Sequence, residues 1–269
     1  MTFLQYLLPQ HLLSKLMFRF ARIENVWIKD SFTRWFINKY QVNLAEAERD
    51  GISDYAHFND FFTRALKPQA RPISESPIIS PVDGVVSQAG QIKDSQILQA
   101  KGHHFSLSQL LAGESIEKIE NGHFATIYLA PKDYHRIHMP LDGKLVSMRY
   151  IPGNLFSVNQ KTVNKVNGVF ARNERLLCLF DTVYGRVVCV LVGAIFVGSM
   201  ETSWQGQVTP PYGKEVKVYD YTEKEFELFK GDELGRFNMG STVIMLLPET
   251  APALKLQSGQ ELKMGQSLI

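Results

Sequence analysis

The 269-residue chain is poor in cysteine, in long apolar runs and in charge of one sign. Its two cysteines, Cys178 and Cys189, lie in the runs LLCLF and VVCVL, where a free thiol behaves as a small hydrophobe. No spaced disulfide framework exists, and a reducing compartment is expected. The longest nearly apolar stretch, Val187 to Val197, is interrupted by Gly193 and falls short of the ~18 residues that span a bilayer. The opening MTFLQYLLPQHLL has no basic leader and no small-residue cleavage site, so a secretory signal is not expected. Lys and Arg total 29 against 27 for Asp and Glu, a balance that argues against nucleic acid as the main partner. GxxxxGK[ST] and GxGxxG are both missing, which disfavours nucleotide chemistry, and the histidines have no HExxH frame, so no metal site is expected.

With 45% hydrophobic and 21% charged residues, a folded chain with a sizeable core is implied. Charge is unevenly placed: residues 1–40 carry Lys15, Arg19, Arg22, Lys29, Arg34 and Lys39 against Glu24 and Asp30. From His11 to Arg22, Leu12, Leu13, Leu16, Met17 and Phe20 recur at helical spacing opposite Lys15, Arg19 and Arg22. A second apolar and aromatic cluster runs from Val26 through Trp27, Phe32, Trp35 and Phe36 to Ile37. Such segments lie in a bilayer interface or pack as two helices on their own domain, and the pattern alone leaves both open. Asp54 to Arg64 forms a third helical candidate with Ser53 as its N-cap.

The stretch LKPQARPISESPIISPVDG holds four prolines and reads as an extended connector. It divides a helical region, 1–65, from a β-rich catalytic body, 66–269. After Pro81 come GVVSQAG, FATIYLA, KLVSMRYIPG, LLCLFDTVYG, RVVCVLVGAIFVGSM and STVIMLLP, short β-branched runs between turns. The expected fold class is α+β, a helical N-terminal layer on a mostly antiparallel β barrel or sandwich, with few helices beyond Phe105 to Ala112.

Three segments can carry chemistry. APKDYHRIHMP places His135 and His138 directly after a strand, where scaffolds present catalytic groups; in extended chain their side chains point to opposite faces. SPVDGVV sets Asp83 in a turn that launches a strand. In GRFNMGSTVIMLLP, Gly240 precedes Ser241 at the entrance to an apolar strand. An unsubstituted Cα lets the backbone bend so that the serine Oγ reaches the Gly240 carbonyl. The resulting N→O shift gives an ester, and elimination across the serine Cα–Cβ bond leads through dehydroalanine to a pyruvoyl group and ammonia.

Over nearly its whole length the chain resembles the bacterial phosphatidylserine decarboxylases, through FNDFFTRALKPQARPI, SPVDGVVSQAG, APKDYHRIHMP, IPGNLFSVN, VLVGAIFVGS and GRFNMGSTV. The family's Leu-Gly-Ser-Thr cleavage motif falls on Met239-Gly240-Ser241-Thr242, with Met for Leu a conservative change. The resemblance implies a pyruvoyl-dependent enzyme whose cofactor derives from Ser241. It forms a Schiff base with phosphatidylserine and releases carbon dioxide to give phosphatidylethanolamine. Cleavage between Gly240 and Ser241 yields a β chain (1–240) and an α chain (241–269). Asp83 and His138 are the implied charge relay to Ser241, His135 belongs to the same motif, and either His135 or His138 is the candidate proton donor. Arg136, Arg172 and Arg175 are candidate phosphate contacts. The resemblance further implies a homodimer, held peripherally by anionic lipid at the cytoplasmic face of the bacterial inner membrane. Two rivals stand beside this reading. A serine hydrolase using Ser241, His138 and Asp83 lacks the GxSxG elbow, and a catalytically inactive, membrane-bound β-rich scaffold would leave the motif residues unused.

Overall fold

The computed structural model describes residues 3–100, 102–196 and 199–269. The N-terminal layer holds α1 (Gln10–Phe20), α2 (Val26–Tyr40) and the short α3 (Phe58–Phe62). Asn25 caps α2 by accepting from the backbone N–H of Trp27 and Ile28, and Gln41 ends it in the left-handed conformation at φ 56°. The third helix is shorter than the sequence suggests. Ile52–Asp54 forms a separate 3-10 turn in which Asp54 accepts from Gly51 N–H. His57, and not Ser53, caps α3 by accepting from Asp60 N–H.

α1 presents its faces the opposite way from a helix on a water-facing surface. The polar Gln10 and Ser14 are buried, whereas Leu12, Leu16 and Phe20 are exposed. On α2, Lys29, Thr33 and Phe36 turn inward, and Trp27 is 85% and Trp35 52% exposed. The inward polar groups have work to do: Gln10 Oε1 accepts from Leu155 N–H at 2.6 Å and Ser14 Oγ from Phe196 N–H at 3.1 Å. No described helix is long and apolar enough to cross a membrane.

The body comprises β1 (Gly84–Gln91), β2 (Gln96–Ala100), β3 (His103–Ser106), β4 (His123–Tyr128), β5 (Arg136–His138), β6 (Gly143–Ile151), β7 (Arg175–Thr182) and β8 (Gly185–Val192). It continues through β9 (Met200–Thr202), β10 (Gly206–Gln207), β11 (Lys217–Asp220), β12 (Glu227–Leu228), β13 (Glu233–Phe237), β14 (Thr242–Leu247) and β15 (Glu261–Leu262). The largest sheet runs β11-β6-β7-β8-β14-β4-β1-β15, with β12 also on β6. A second is ordered β10-β9-β13-β5, and β2 pairs with β3. All these pairings are antiparallel, as the short-turn spacing of the runs implies. The run RVVCVLVGAIFVGSM is divided, since β8 stops at Val192 and β9 starts at Met200 in the other sheet. The helical segment within Phe105–Ala112 is only α4 (Leu107–Leu110), capped by Ser106; α5 (Gln160–Val163) and α6 (Val169–Arg172) are single turns that the sequence did not announce.

Two hydrophobic cores result. The larger fills the β body, and the smaller gathers Ala21, Phe36, Val42, Tyr55, Phe58, Phe61 and Phe62 under the helices. Met239 packs against both, which puts the Gly240-Ser241 bond at the seam between them. Loop 152–159, which reaches that seam, is seated by close backbone approach: a Cβ on Gly153 would lie 2.5 Å from the Arg172 carbonyl oxygen. Gly153→Ala is expected to destabilise the fold by roughly 1–3 kcal/mol, read as a lowered midpoint in chemical denaturation.

Candidate active site

The segment approaching Ser241 is gripped on both sides. Upstream, Phe237 N–H donates to His135 O at 3.1 Å. Asn238 donates from its backbone to Ser199 O and from Nδ2 to Ser199 Oγ, and its carbonyl accepts from Asn59 Nδ2 of α3 at 2.6 Å. Downstream, Ser241 O accepts from Leu129 N–H at 2.8 Å, and Thr242 pairs in register with Tyr128 of β4 and Val192 of β8. Met239 and Gly240 bridge the two sheets. Ser241 is fully buried, and among the described residues its Oγ has no hydrogen-bond partner, a costly state in a native interior.

His135 stands beside this junction. A Cβ on Gly240 would lie 3.5 Å from its Nε2, and its ring packs on Phe62 at a centroid distance of 4.1 Å. Nδ1 lies 2.8 Å from the Asp133 carbonyl, which only accepts, so Nδ1 carries the proton and Nε2 holds a free lone pair. Nε2 is buried without a partner. Burial first, and then the charge of Arg64, push the His135 imidazole down to about 3, so it is neutral at physiological pH. The loop that delivers it is closed by Asp133, whose carboxylate accepts from Ala130 N–H at 2.7 Å.

His138, on β5, has other neighbours. Its Nδ1 donates to Gly231 O at 2.7 Å and its Nε2 accepts from the Tyr134 hydroxyl at 3.0 Å. Burial lowers its pKa, opposed by the Gly231 carbonyl and by the charges of Glu233 and Asp83. Asp83 is nearby through the backbone, because His138 N–H donates to Pro81 O at 2.8 Å. The Asp83 carboxylate nevertheless bonds elsewhere: it forms a two-point pair with Arg71 at 2.8 and 2.5 Å and accepts from Met264 N–H and Lys263 Nζ. Burial would raise its pKa, but Arg71, Met264 N–H and Lys263 together hold it below the usual carboxylate range. The hydrogen-bonded chain Asp83–His138–Ser241 expected from the sequence is therefore not formed in this state. Backbone carbonyls orient both histidines, and Asp83 acts on them through its field.

Nothing local in the sequence marks Arg71 within ARPI; its second partner, Glu46, lies in the helical layer. Of the three candidate phosphate contacts, Arg175 is buried with its donors on the carbonyls of Leu110, Asn173 and Gln109. Arg136 is spent on Glu233 and Thr63 O, and Arg172 lies over the rings of Tyr6 and Phe156. None of the three lines the cavity at Gly240. That cavity, of about 210 Å³, runs from Phe36 and Tyr40 of α2 past Phe62, Pro131 and Val158 to Met239 and Gly240. Its lining is mostly apolar, and it connects the helical layer to the Gly240-Ser241 junction.

An α+β fold with a partnerless serine hydroxyl at a glycine-serine junction is the setting of a self-processing protein. A family model described as phosphatidylserine decarboxylase matches residues 58–269, and a second, described as PSD, matches residues 1–41. The chain is 52% identical over 258 residues to the phosphatidylserine decarboxylase proenzyme of Methylobacillus flagellatus, covering 95% of this chain and 92% of that protein. It is 53% identical over 273 residues to the proenzyme of that name from Pseudomonas putida, covering 98% and 95%, and 52% identical over 255 residues to that of Shewanella amazonensis, covering 92% and 89%. The chain belongs to the phosphatidylserine decarboxylase family.

The buried pair of Arg71 and Asp83 supports a stability test. Arg71→Ala leaves Asp83 buried with weaker partners and is expected to cost ~3 kcal/mol. Because the folded-state pKa of Asp83 is depressed, its contribution is present above the ordinary carboxylate pKa and is lost as pH falls through the lower folded value. The acid-unfolding midpoint of Arg71→Ala should therefore move to higher pH.

Proposed function

We infer that this chain is the proenzyme of a pyruvoyl-dependent phosphatidylserine decarboxylase, which converts phosphatidylserine to phosphatidylethanolamine and carbon dioxide. The observation that carries the reading is the buried, partnerless Ser241 Oγ next to Gly240 at the end of an apolar cavity, in a chain of this family. In the precursor, Oγ attacks the Gly240 carbonyl and the amide becomes an ester. Elimination across Ser241 Cα–Cβ releases residues 1–240 with Gly240 as a carboxylate, and hydrolysis with loss of ammonia leaves a pyruvoyl ketone on residues 241–269. The site fits that group: its atoms come from Ser241, Gly240 adds no side chain, and the cavity gives an amine access. The pyruvoyl group supplies an electron sink for the pair left as carbon dioxide departs.

The protein's own residues do the proton work. His138 is the base for maturation, with its Nε2 exchanging the Tyr134 hydroxyl for that of Ser241, and the fixed charge of Asp83 favours its protonated form. His135, whose Nε2 faces residue 240 as a bare lone pair, takes the proton that the substrate ammonium gives up and returns it to the substrate Cα. Phe62 and the α2 aromatics exclude water from the cavity. Residues 1–65 form the membrane-associating region and 66–269 the catalytic body. The outward Leu12, Leu16, Phe20, Trp27 and Trp35 sit in the interface while nearby basic residues meet anionic headgroups. Those outward apolar residues support our reading of a peripheral enzyme at the cytoplasmic face of the bacterial inner membrane, with a homodimer proposed by family analogy.

Two experiments test this. In the first, purified variants are assayed for chain cleavage on denaturing gels and for carbon dioxide release from phosphatidylserine. Asp83→Asn and His138→Ala should stay uncut, whereas His135→Ala should cut normally and lose about 100-fold or more in turnover. An uncut His135→Ala chain would transfer the maturation step to His135, and an uncut wild type without decarboxylase activity would reopen the hydrolase and scaffold readings. In the second, Leu12→Glu/Leu16→Glu, which spares the inward Gln10 and Ser14, should lower co-sedimentation with anionic liposomes by about tenfold; unchanged co-sedimentation would remove α1 from the interface.

A further inference from the structure

Arg64 is 3% exposed, yet its Nε and Nη1 have no acceptor among the described residues. Its one side-chain hydrogen bond is a long contact, 3.4 Å from Nη2 to Lys132 O, and the guanidinium lies over the Phe61 ring. Nearby acids do not neutralise it at contact distance, since Asp83 is paired with Arg71 and Lys263, and Glu46 with Arg71. A buried cation without an acid is expensive, and burial accordingly lowers its pKa. Its place is telling. Phe62, two residues before Arg64, and Pro131, next to its contact Lys132, line the cavity, with Arg64 behind that lining, and the charge of Arg64 acts on His135, which packs on Phe62.

We propose that Arg64 is the anion-binding residue of this site, its free Nε–H and Nη1–H taking an oxyanion of the phosphatidylserine headgroup. The inference rests on the decarboxylase reading above. Two non-collinear N–H groups of a guanidinium match the two oxygens of either a carboxylate or a phosphodiester. An anion seated there would also offset the positive charge that, after burial, keeps His135 neutral, and so couple substrate binding to a histidine able to donate a proton. Holding the carboxylate tightly would oppose its loss as carbon dioxide, whereas holding the phosphodiester would not, so the two sources are separable.

The test is steady-state turnover of soluble dihexanoyl phosphatidylserine by full-length wild type and Arg64→Gln, after a denaturing gel has shown that each is cut. A KM raised about tenfold or more, with a smaller change in kcat, is expected; a KM within about twofold of wild type overturns the proposal. Dihexanoyl phosphatidylethanolamine, as competing product, identifies the oxyanion. Its inhibition weakens in parallel if Arg64 holds the phosphodiester and is unchanged if Arg64 holds the carboxylate. Should Arg64→Gln stay uncut, dihexanoyl phosphatidylserine binding is compared by calorimetry in Ser241→Ala and Ser241→Ala/Arg64→Gln. Lost binding in the double variant supports the site, and equal binding overturns it. Failure of the wild type to decarboxylate would count against the enzyme reading itself, independently of Arg64.

Discussion

Everything at the site depends on how one short stretch of backbone is held. Asn238 is fixed by Ser199 and Asn59 on one side and Ser241 by Leu129 on the other, and between these clamps Met239 and Gly240 pass from one sheet to the other. The two clamps belong to different layers, because Asn59 sits on α3 and Leu129 follows β4. Strain or motion at the junction is thus referred to both cores at once, which Met239 joins. A hydroxyl left without a partner in such a setting cannot relax to water, and the neighbouring atoms it can act on are few.

The same arrangement explains how the two products of cleavage stay together. β14 lies between β8 and β4 near the middle of the large sheet, fully buried along its length. The tail beyond it returns to the body, where β15 pairs with β1 and Met264 N–H donates to Asp83. Asp83 therefore ties together three regions: the tail through Met264 and Lys263, the connector through Arg71, and, through the same Nη2 of Arg71, Glu46 of the helical layer. A carboxylate so committed makes no direct bond to either histidine and reaches them only through its charge, which departs from a serine-protease relay.

The elements legible in the sequence were those with strong periodicity. STVIMLLP and GVVSQAG became β14 and β1 within a residue or two, and the helical spacing of Leu12, Leu16 and Phe20 marked α1. Periodicity says that a face is apolar but not which way it turns, so the inward Gln10 and Ser14 emerge only once Leu155 and Phe196 are seen to donate to them. Asp83, His135, His138, Gly240 and Ser241 stand out in the sequence because their motifs are compact. Their connections were not legible: Arg71 and Arg64 lie in FNDFFTRALKPQARPI as two charges among many, and nothing local indicates that one is consumed by a buried acid while the other has none. His135 and His138 have separate partners, and the carbonyls of Asp133 and Gly231 that set their tautomers are contacts of the fold rather than of the sequence.

The central claim is that the Gly240-Ser241 junction is built to break. The most direct measurement is the intact mass of the purified wild-type protein under denaturing, reducing conditions. The account requires two masses, one for residues 1–240 and one for residues 241–269 lighter than its serine-started sequence by one ammonia. A single undivided species at 30.6 kDa would contradict it.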